Sequence, residues 1–163
     1  MVYVGIDDTD MPDTRGTNQL AKQIAAELAA DWHCELIVRH QLLDDPRVPY
    51  TSQNGSASLL FRRNHLPGPE SSSTGENGSG QERDALKETC RRILRECFVE
   101  GSDPGLCVTV QVPPEITSFG LRCQQELVHR QEAEDLAMQH GIYLEGLGGT
   151  CGGMIGALAA VGL

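Results

Sequence analysis

Three aspartates stand within four positions near the start of the chain, where VGIDDTD runs from Val4 to Asp10. Carboxylates packed this closely repel one another and raise at least one pKa unless a cation or hydrogen-bond donors offset their charge. Residues two apart on a strand point to the same side, so Asp8 and Asp10 could share a hard cation while Asp7 faces the other way. Magnesium suits this set, because it takes one or two carboxylates and fills its shell with water and substrate phosphate. The cluster of Asp7, Asp8 and Asp10 therefore predicts a metal site in which Asp8 and Asp10 share the cation, with an Asx-type turn as the structural alternative.

A glycine-rich stretch, GLGGTCGG from Gly146 to Gly153, stands directly before a predicted C-terminal helix. Glycines let several backbone N–H groups converge on an anion, and the helix N-terminus adds partial positive charge, so phosphate is the expected ligand. The spacing matches neither a P-loop nor a well-placed dinucleotide fingerprint, and tight packing of the turn is an equal alternative. The candidate nucleotide-binding residues are Gly148, Gly149, Thr150, Gly152 and Gly153.

Arg15 and Thr17 stand at the start of the first predicted helix, in the run RGTN. Arg15 could meet a phosphate or an acid of the first loop. Thr17 could cap the helix, touch a phosphate through its hydroxyl or accept a phosphoryl group, and capping is the default interpretation. Asp8, Thr17 and Arg15 are the candidate catalytic residues.

Strands and helices alternate along the chain and position these motifs. The predicted strands are 2–6, 35–43, 56–62, 106–112 and 142–144, and the predicted helices are 17–32, 82–98, 116–122, 126–140 and 154–161. This pattern predicts an α/β (α+β) fold, a two-layer domain with a mixed β-sheet and packing helices. We expect one domain over residues 1–163, with a flexible surface loop at 66–81, where Pro, Ser and Gly dominate.

Composition narrows the classes of function. The 163 residues suit one domain, and 13 basic against 23 acidic residues give a net charge of -10. This charge disfavours RNA binding by the chain alone, because counterion release needs clustered Lys and Arg. The N-terminus lacks the pattern of a secretory signal, and no apolar run approaches a membrane span, so we expect a cytoplasmic protein without a membrane partner. The six cysteines contain no C-x-x-C pair, which favours buried thiols over a zinc ribbon.

The motifs together resemble the catalytic kinase-like domain of the archaeal isoleucine-tRNA agmatidine synthases, which use ATP to activate a tRNA cytidine and couple agmatine to it. VGIDDTD is similar to the opening motif of that family, and Thr17 falls where the family has a threonine that becomes phosphorylated. Later similar blocks are 46–55, 103–105 and 152–162. The resemblance covers nearly the whole chain and implies Mg²⁺ and ATP as cofactors. It also implies that the three aspartates bind metal, that Thr17 lies near the γ-phosphate and that residues 148–153 belong to the nucleotide pocket.

Two departures limit what the resemblance implies. Thr51-Ser52-Gln53 stands where the family tends to be basic. The synthases also continue into a ferredoxin-like domain, an OB-fold and a zinc ribbon that grip tRNA. Agmatidine synthesis by this chain alone is therefore not expected.

Three hypotheses about function follow. The leading one is a Mg-ATP-binding kinase-like domain that performs phosphoryl transfer or ATP hydrolysis on an unidentified substrate, with Arg15 and backbone N–H groups meeting the developing charge. The second is a phosphatase, since Asp8-Thr9-Asp10 also resembles the D-x-D start of the haloacid dehalogenase type. The third is a non-catalytic nucleotide-binding or scaffold subunit, for example a homo-oligomer whose interface covers the acidic loop. The leading hypothesis requires the acidic turn and the glycine-rich stretch to meet in space.

Overall fold

A computed structural model describes residues 1–7, 9, 16–48, 54–64 and 76–163. Within these ranges the strands are β1 (Val2–Asp7), β2 (Trp32–Gln41), β3 (Gly55–Arg63), β4 (Gly105–Thr109) and β5 (Tyr143–Gly146). The helices are α1 (Thr17–Glu27), α2 (Glu76–Glu96), α3 (Pro114–Cys123), α4 (Arg130–Gln139) and α5 (Gly153–Gly162). No helix of the described ranges combines the length and the apolar character that a membrane span needs.

The strands form a single sheet in the order β2-β3-β1-β4-β5, and each neighbouring pair is antiparallel. Helix α1 connects β1 to β2, and in the sheet these two strands lie on either side of β3. Helix α2 connects β3 to β4, and these two strands lie on either side of β1. This is the split β-α-β arrangement, in which the strand inserted between two parallel ones runs the other way. The predicted α+β class is therefore confirmed, while the predicted mixed sheet is corrected to an antiparallel one.

Helices cover both faces of the sheet, which corrects the predicted two layers to three. Strand side chains alternate between the faces, so Val4 and Ile6 of β1 pack with α1 and α2 in one core. Gly5 faces the other side, where it lies against Ala157 of α5. Helices α3, α4 and α5 form the second core there, around Cys107 of β4. Because both faces of β1 are covered, its burial is nearly continuous along the strand.

The two largest differences between predicted and observed helix bounds are at the end of α1 and the start of α2. Helix α1 ends at Glu27 instead of residue 32, because Trp32 is already the first residue of β2 and pairs with Arg63 of β3. Local propensity would continue the helix through Ala29 and Ala30, and strand pairing overrides it. Helix α2 begins at Glu76, so residues 76–81 of the predicted loop are helical, and the rest of that loop lies outside the described residues.

Candidate functional site

The backbone of α5 lies directly on the sheet, because glycines remove the side chains that would separate them. A Cβ atom on Gly5 of β1 would lie 2.0 Å from the carbonyl oxygen of Ala157. A Cβ atom on Gly105 of β4 would lie 2.1 Å from the carbonyl oxygen of Gly153. Both distances are far below van der Waals contact, so only glycine allows this approach. The first turn of α5 is thereby held next to the start of β4.

Asp7, the last residue of β1, points toward α5. Its side chain is buried, and a Cβ atom on Gly156 would lie 1.8 Å from Asp7 Oδ2. The strand that carries the acidic turn therefore reaches the helix that follows the glycine-rich stretch. Asp8 and Asp10, the other two candidate metal ligands, lie outside the described residues, and their roles stay predictions.

A cavity of about 480 Å³ opens between these two segments, within the size range of ligand pockets. Asp7 and four of the five predicted nucleotide-binding residues line it: Gly149, Thr150, Gly152 and Gly153. Its apolar wall includes Leu42, Phe98, Leu127 and Ile155. Asp103 and Glu126 add two further carboxylates, and no Lys, Arg or His is among the described residues of the wall. The described wall of the cavity therefore combines three carboxylates with apolar side chains.

Asp103 holds the glycine-rich stretch in place. Its Oδ2 atom accepts hydrogen bonds from the Thr150 hydroxyl at 2.5 Å and from the Gly152 N–H at 2.9 Å. The carbonyl oxygen of Thr150 accepts a further hydrogen bond, from Arg130 Nη1 of α4 at 2.6 Å. Neither Asp103 nor Arg130 was among the predicted site residues. The sequence signal that could have indicated Asp103 was its place in the DPG block at 103–105.

The stretch uses some of its N–H groups for contacts within the protein. The Leu147 N–H donates to the Pro104 carbonyl at 2.7 Å, and the Cys151 N–H donates to the Gly148 carbonyl at 3.1 Å. Gly148 itself packs on a ring, since a Cβ atom there would lie 2.5 Å from Phe98 Cε2. A phosphate bound here would therefore accept hydrogen bonds only from those N–H groups of the turn that are not already bonded within the protein.

Thr17 is the first residue of α1 and is buried. The N-cap position belongs to Gly16, so the predicted capping role of Thr17 is wrong. Thr9 Oγ1 donates a hydrogen bond to Thr17 Oγ1 at 3.1 Å, which links Thr9 of the VGIDDTD motif to the start of the helix. Thr17 is not among the described residues of the cavity wall, and Arg15 lies outside the described residues.

A family model described as the TiaS TCKD domain matches residues 3–149, most of the chain. The chain belongs to the TiaS TCKD domain family. It is 28% identical over 166 aligned residues to the tRNA 2-agmatinylcytidine synthetase TiaS of Pyrococcus horikoshii, which acts on an isoleucine tRNA. The match covers 99% of this chain and 35% of that protein, so this chain spans about a third of its relative.

Solved TiaS structures share the fold of this domain. The structure of apo TiaS, an agmatidine synthetase for isoleucine tRNA, superposes with a TM-score of 0.75 at 22% identity over 99% of this chain and 35% of that one. The structure of TiaS in complex with that tRNA and ATP superposes with a TM-score of 0.74 at 22% identity over 99% of this chain and 36% of that one. At this level of identity, the likeness establishes the fold.

The donor set of the cavity fits a hard cation. No group of three or more His, Cys, Asp or Glu that could hold a metal ion occurs among the described residues. Mg²⁺ needs fewer protein ligands, since it takes one or two carboxylates and completes its shell with water and phosphate. Asp7 and Asp103 supply such oxygens, and Asp103 Oδ1 is buried with no hydrogen-bond partner in the described part of the chain. In this member of the TiaS TCKD domain family, the residues present are therefore compatible with Mg²⁺.

Cys123 contributes the one thiol on the described wall of the cavity. Burial, and after it the negative charges of Glu132 and Asp7, raise the pKa of Cys123 to about 12. The thiol is therefore protonated at neutral pH and is a poor nucleophile. Cys123 is therefore not a candidate nucleophile of this cavity.

Proposed function

We propose that this chain binds ATP with Mg²⁺ in the cavity between Asp7 and the glycine-rich stretch and uses it for phosphoryl transfer or ATP hydrolysis. The observation that carries the proposal is the meeting of Asp7 with Gly156 and Gly153 at one cavity. Structures of TiaS with its tRNA and ATP, and with its tRNA, AMPCPP and agmatine, support a nucleotide as the ligand. A role in tRNA modification is part of the proposal, with the chain acting as one portion of a larger assembly.

The charges of the cavity require a cation with the nucleotide. Asp7, Asp103 and Glu126 line it, and a bare triphosphate would bring further negative charge beside them. Two like unit charges 4 Å apart repel by about 4 kcal/mol at an effective dielectric constant of 20. Binding of ATP alone should therefore be weak, and a divalent ion should restore it. The apolar wall at Leu42 and Ile155 suits the aromatic base of the nucleotide.

The proposed roles of the site residues follow from this placement. Bound Mg²⁺ would neutralise phosphate charge, and Asp7, Asp8 and Asp10 are the proposed protein ligands. Arg15 is proposed to meet charge that develops on the transferred group. The hydrogen bond from Thr9 orients the hydroxyl of Thr17, the proposed phosphoryl acceptor. Catalysis of this kind is mostly positioning and charge stabilisation.

A thermal-shift experiment with ATP, with and without Mg²⁺, tests the proposal. At a hundredfold excess over Kd, a ligand of the native state adds about 2.7 kcal/mol and should raise Tm by about 5–10 °C in a chain of this size. We expect that shift only with Mg²⁺ present, and we expect Asp7→Asn to abolish it. The matched control is Asp135→Asn on the exposed face of α4, which should keep the shift. A wild-type protein that shows no shift with Mg²⁺ and ATP would contradict the proposal.

Two further assays separate the proposal from its alternatives. Hydrolysis of an aryl phosphate in the absence of nucleotide would favour the phosphatase hypothesis. Nucleotide binding without any release or transfer of phosphate would favour the hypothesis of a non-catalytic nucleotide-binding subunit. Phosphate release that depends on ATP and is lost in Asp8→Asn would support phosphoryl chemistry.

A further inference from the structure

We propose that Asp103 is a positioning residue that holds residues 146–153 and the first turn of α5 in the shape that forms one wall of the ligand cavity. The proposal rests on the proposed function for the identity of the ligand, and its structural part can be tested without any ligand.

The side chain of Asp103 bridges two distant parts of the chain. Asp103 precedes β4, while its two donors, the Thr150 hydroxyl and the Gly152 N–H, belong to the glycine-rich stretch. Both bonds end on Oδ2, and hydrogen bonds to an ionised carboxylate are shorter and stronger than neutral ones. One carboxylate oxygen therefore fixes both a side chain and a backbone group of the turn.

The backbone around Asp103 holds the same stretch at a second point. The Pro104 carbonyl accepts the Leu147 N–H at 2.7 Å, near the beginning of the stretch. At its end, a Cβ atom on Gly153 would lie 2.0 Å from the Asp103 carbonyl oxygen, so the two backbones are in direct contact. The backbone of residues 103 and 104 therefore contacts both ends of the turn. The absence of a side chain at Gly153 allows the contact with the Asp103 carbonyl.

Thr150 is held from two sides. Its hydroxyl donates to Asp103, and its carbonyl accepts from Arg130 of α4. The turn also contains a backbone conformation that is costly for a residue with a side chain, since Cys151 has φ +62°, whereas Gly149 adopts φ +55° without strain. A non-glycine residue in the left-handed region persists only where its surroundings enforce it. The contacts of Asp103 and Arg130 supply that enforcement.

The second carboxylate oxygen indicates a role beyond stability. Asp103 Oδ1 is buried without a hydrogen-bond partner in the described ranges, although Asp103 lies on the cavity wall. A buried polar atom left unsatisfied is unfavourable, so a carboxylate selected only for stability would be better paired. Its placement makes sense if the carboxylate shapes a site that a ligand completes.

Hydrogen exchange of the backbone amides of 147–153 in the nucleotide-free protein tests the structural part. Thr150→Val removes the hydroxyl donor and should speed exchange of these amides about tenfold relative to those of β1. Thr150→Ser keeps the hydroxyl and should exchange like the wild type. Asp103→Asn removes the charge and should act like Thr150→Val. The matched control is Thr89→Val, which removes a hydroxyl that donates to the Ala85 carbonyl within α2 and should leave these amides unchanged.

Titration with Mg²⁺ and ATP tests the link to the ligand. We expect Thr150→Val and Asp103→Asn to weaken binding about tenfold, while Thr150→Ser stays within a factor of two of wild type. Unchanged exchange in Thr150→Val, or a serine variant as fast as the valine one, would overturn the proposal. If the exchange results hold but the wild type binds no nucleotide, the positioning role stands and the proposed function fails. If amide exchange becomes faster in Thr150→Val and Asp103→Asn while their affinity for ATP with Mg²⁺ stays that of wild type, Asp103 does not shape the cavity wall for the ligand, and that part of the proposal is refuted.

Discussion

The Asp7 carboxylate lies against the backbone of Gly156, so closely that a Cβ atom at position 156 would be 1.8 Å from Asp7 Oδ2. One residue ends the central strand and the other is in the first turns of the C-terminal helix. Glycine is needed at 156 for space, since the position is an ordinary helical one. This contact brings the strand that carries the acidic motif against the helix that follows the glycine-rich motif.

Replacement of Gly156 by alanine should therefore destabilise the protein, although alanine is the better helix former. The methyl group must displace the carboxylate or the helix, and overpacking of this kind costs about 1–3 kcal/mol. Gly80→Ala in α2 is the matched control, because a Cβ atom there meets nothing within 4 Å. The control should be stabilised by about 0.5–1 kcal/mol. Urea unfolding of both variants measures the difference, and equal stability of the two would contradict the packing described here.

Thr17 provides a test of the proposed phosphoryl chemistry. In transfer to this residue, the γ-phosphorus would form a bond to Thr17 Oγ1 as its bond to the β–γ bridging oxygen of ATP breaks, so that ADP leaves and the hydroxyl proton is released to water. After incubation with Mg²⁺ and ATP, the wild type and Thr17→Ser should gain one phosphate by intact-mass measurement, and Thr17→Val should gain none. Thr9→Val removes the hydrogen bond to Thr17 and should slow incorporation several-fold. A phosphate found on the Thr17→Val protein would place the acceptor elsewhere.

Glu145 of β5 should make stability depend on acidic pH. Arg91 of α2 donates to both of its carboxylate oxygens at 2.9 Å, and the Tyr143 hydroxyl donates to it as well. Burial raises the pKa of Glu145, but these hydrogen bonds outweigh burial and the pKa lies below its usual range. A lowered pKa in the folded state means that the stabilisation is present above the unfolded pKa and disappears as pH falls through the folded pKa.

Glu145→Gln should accordingly cost about 1.5–3 kcal/mol at pH 7, as expected for hydrogen bonds to a charged group. The difference from wild type should shrink as the pH falls below the ordinary glutamate pKa of about 4.3. Glu96→Gln is the control, since Glu96 is an exposed partner of Arg92 within α2 and such pairs contribute little. Unfolding curves from pH 7 to pH 3 give the comparison. A Glu145→Gln penalty that does not depend on pH would refute the assignment.

The six thiols should fall into two classes of reactivity. Cys90, Cys107 and Cys123 are buried, while Cys34, Cys97 and Cys151 are partly exposed. Burial raises the pKa of Cys90 and of Cys123 to about 12 and raises that of Cys107 as well. A disulfide reagent at pH 8 should therefore modify at most three thiols in the native protein and all six after denaturation. Cys151→Ser should lower the native count by one and Cys107→Ser should not. Fast reaction of Cys107 would contradict its burial.

Local patterns identified most of the elements but not their ends. The short β-branched run at 2–6 predicted β1, and the four-residue spacing of Leu20 and Ile24 predicted α1, because both signals are local. The end of α1 depended on Trp32, whose pairing with Arg63 across the sheet cannot be read from neighbouring residues. The start of α2 at Glu76 was missed because its first turns have a composition that is typical of loops.

The order of residues was enough to establish the α+β class, the motif at Asp7, the glycine-to-helix stretch and the family. Three-dimensional packing was needed to establish that neighbouring strands are all antiparallel, that helices cover both faces and that Asp103 holds Thr150. The first group of features could be predicted because periodicity, helix caps and turns depend on residues a few positions apart in the sequence. Strand order and the contact between Asp103 and Thr150 depend on which distant surfaces pack together, and the whole chain decides that packing.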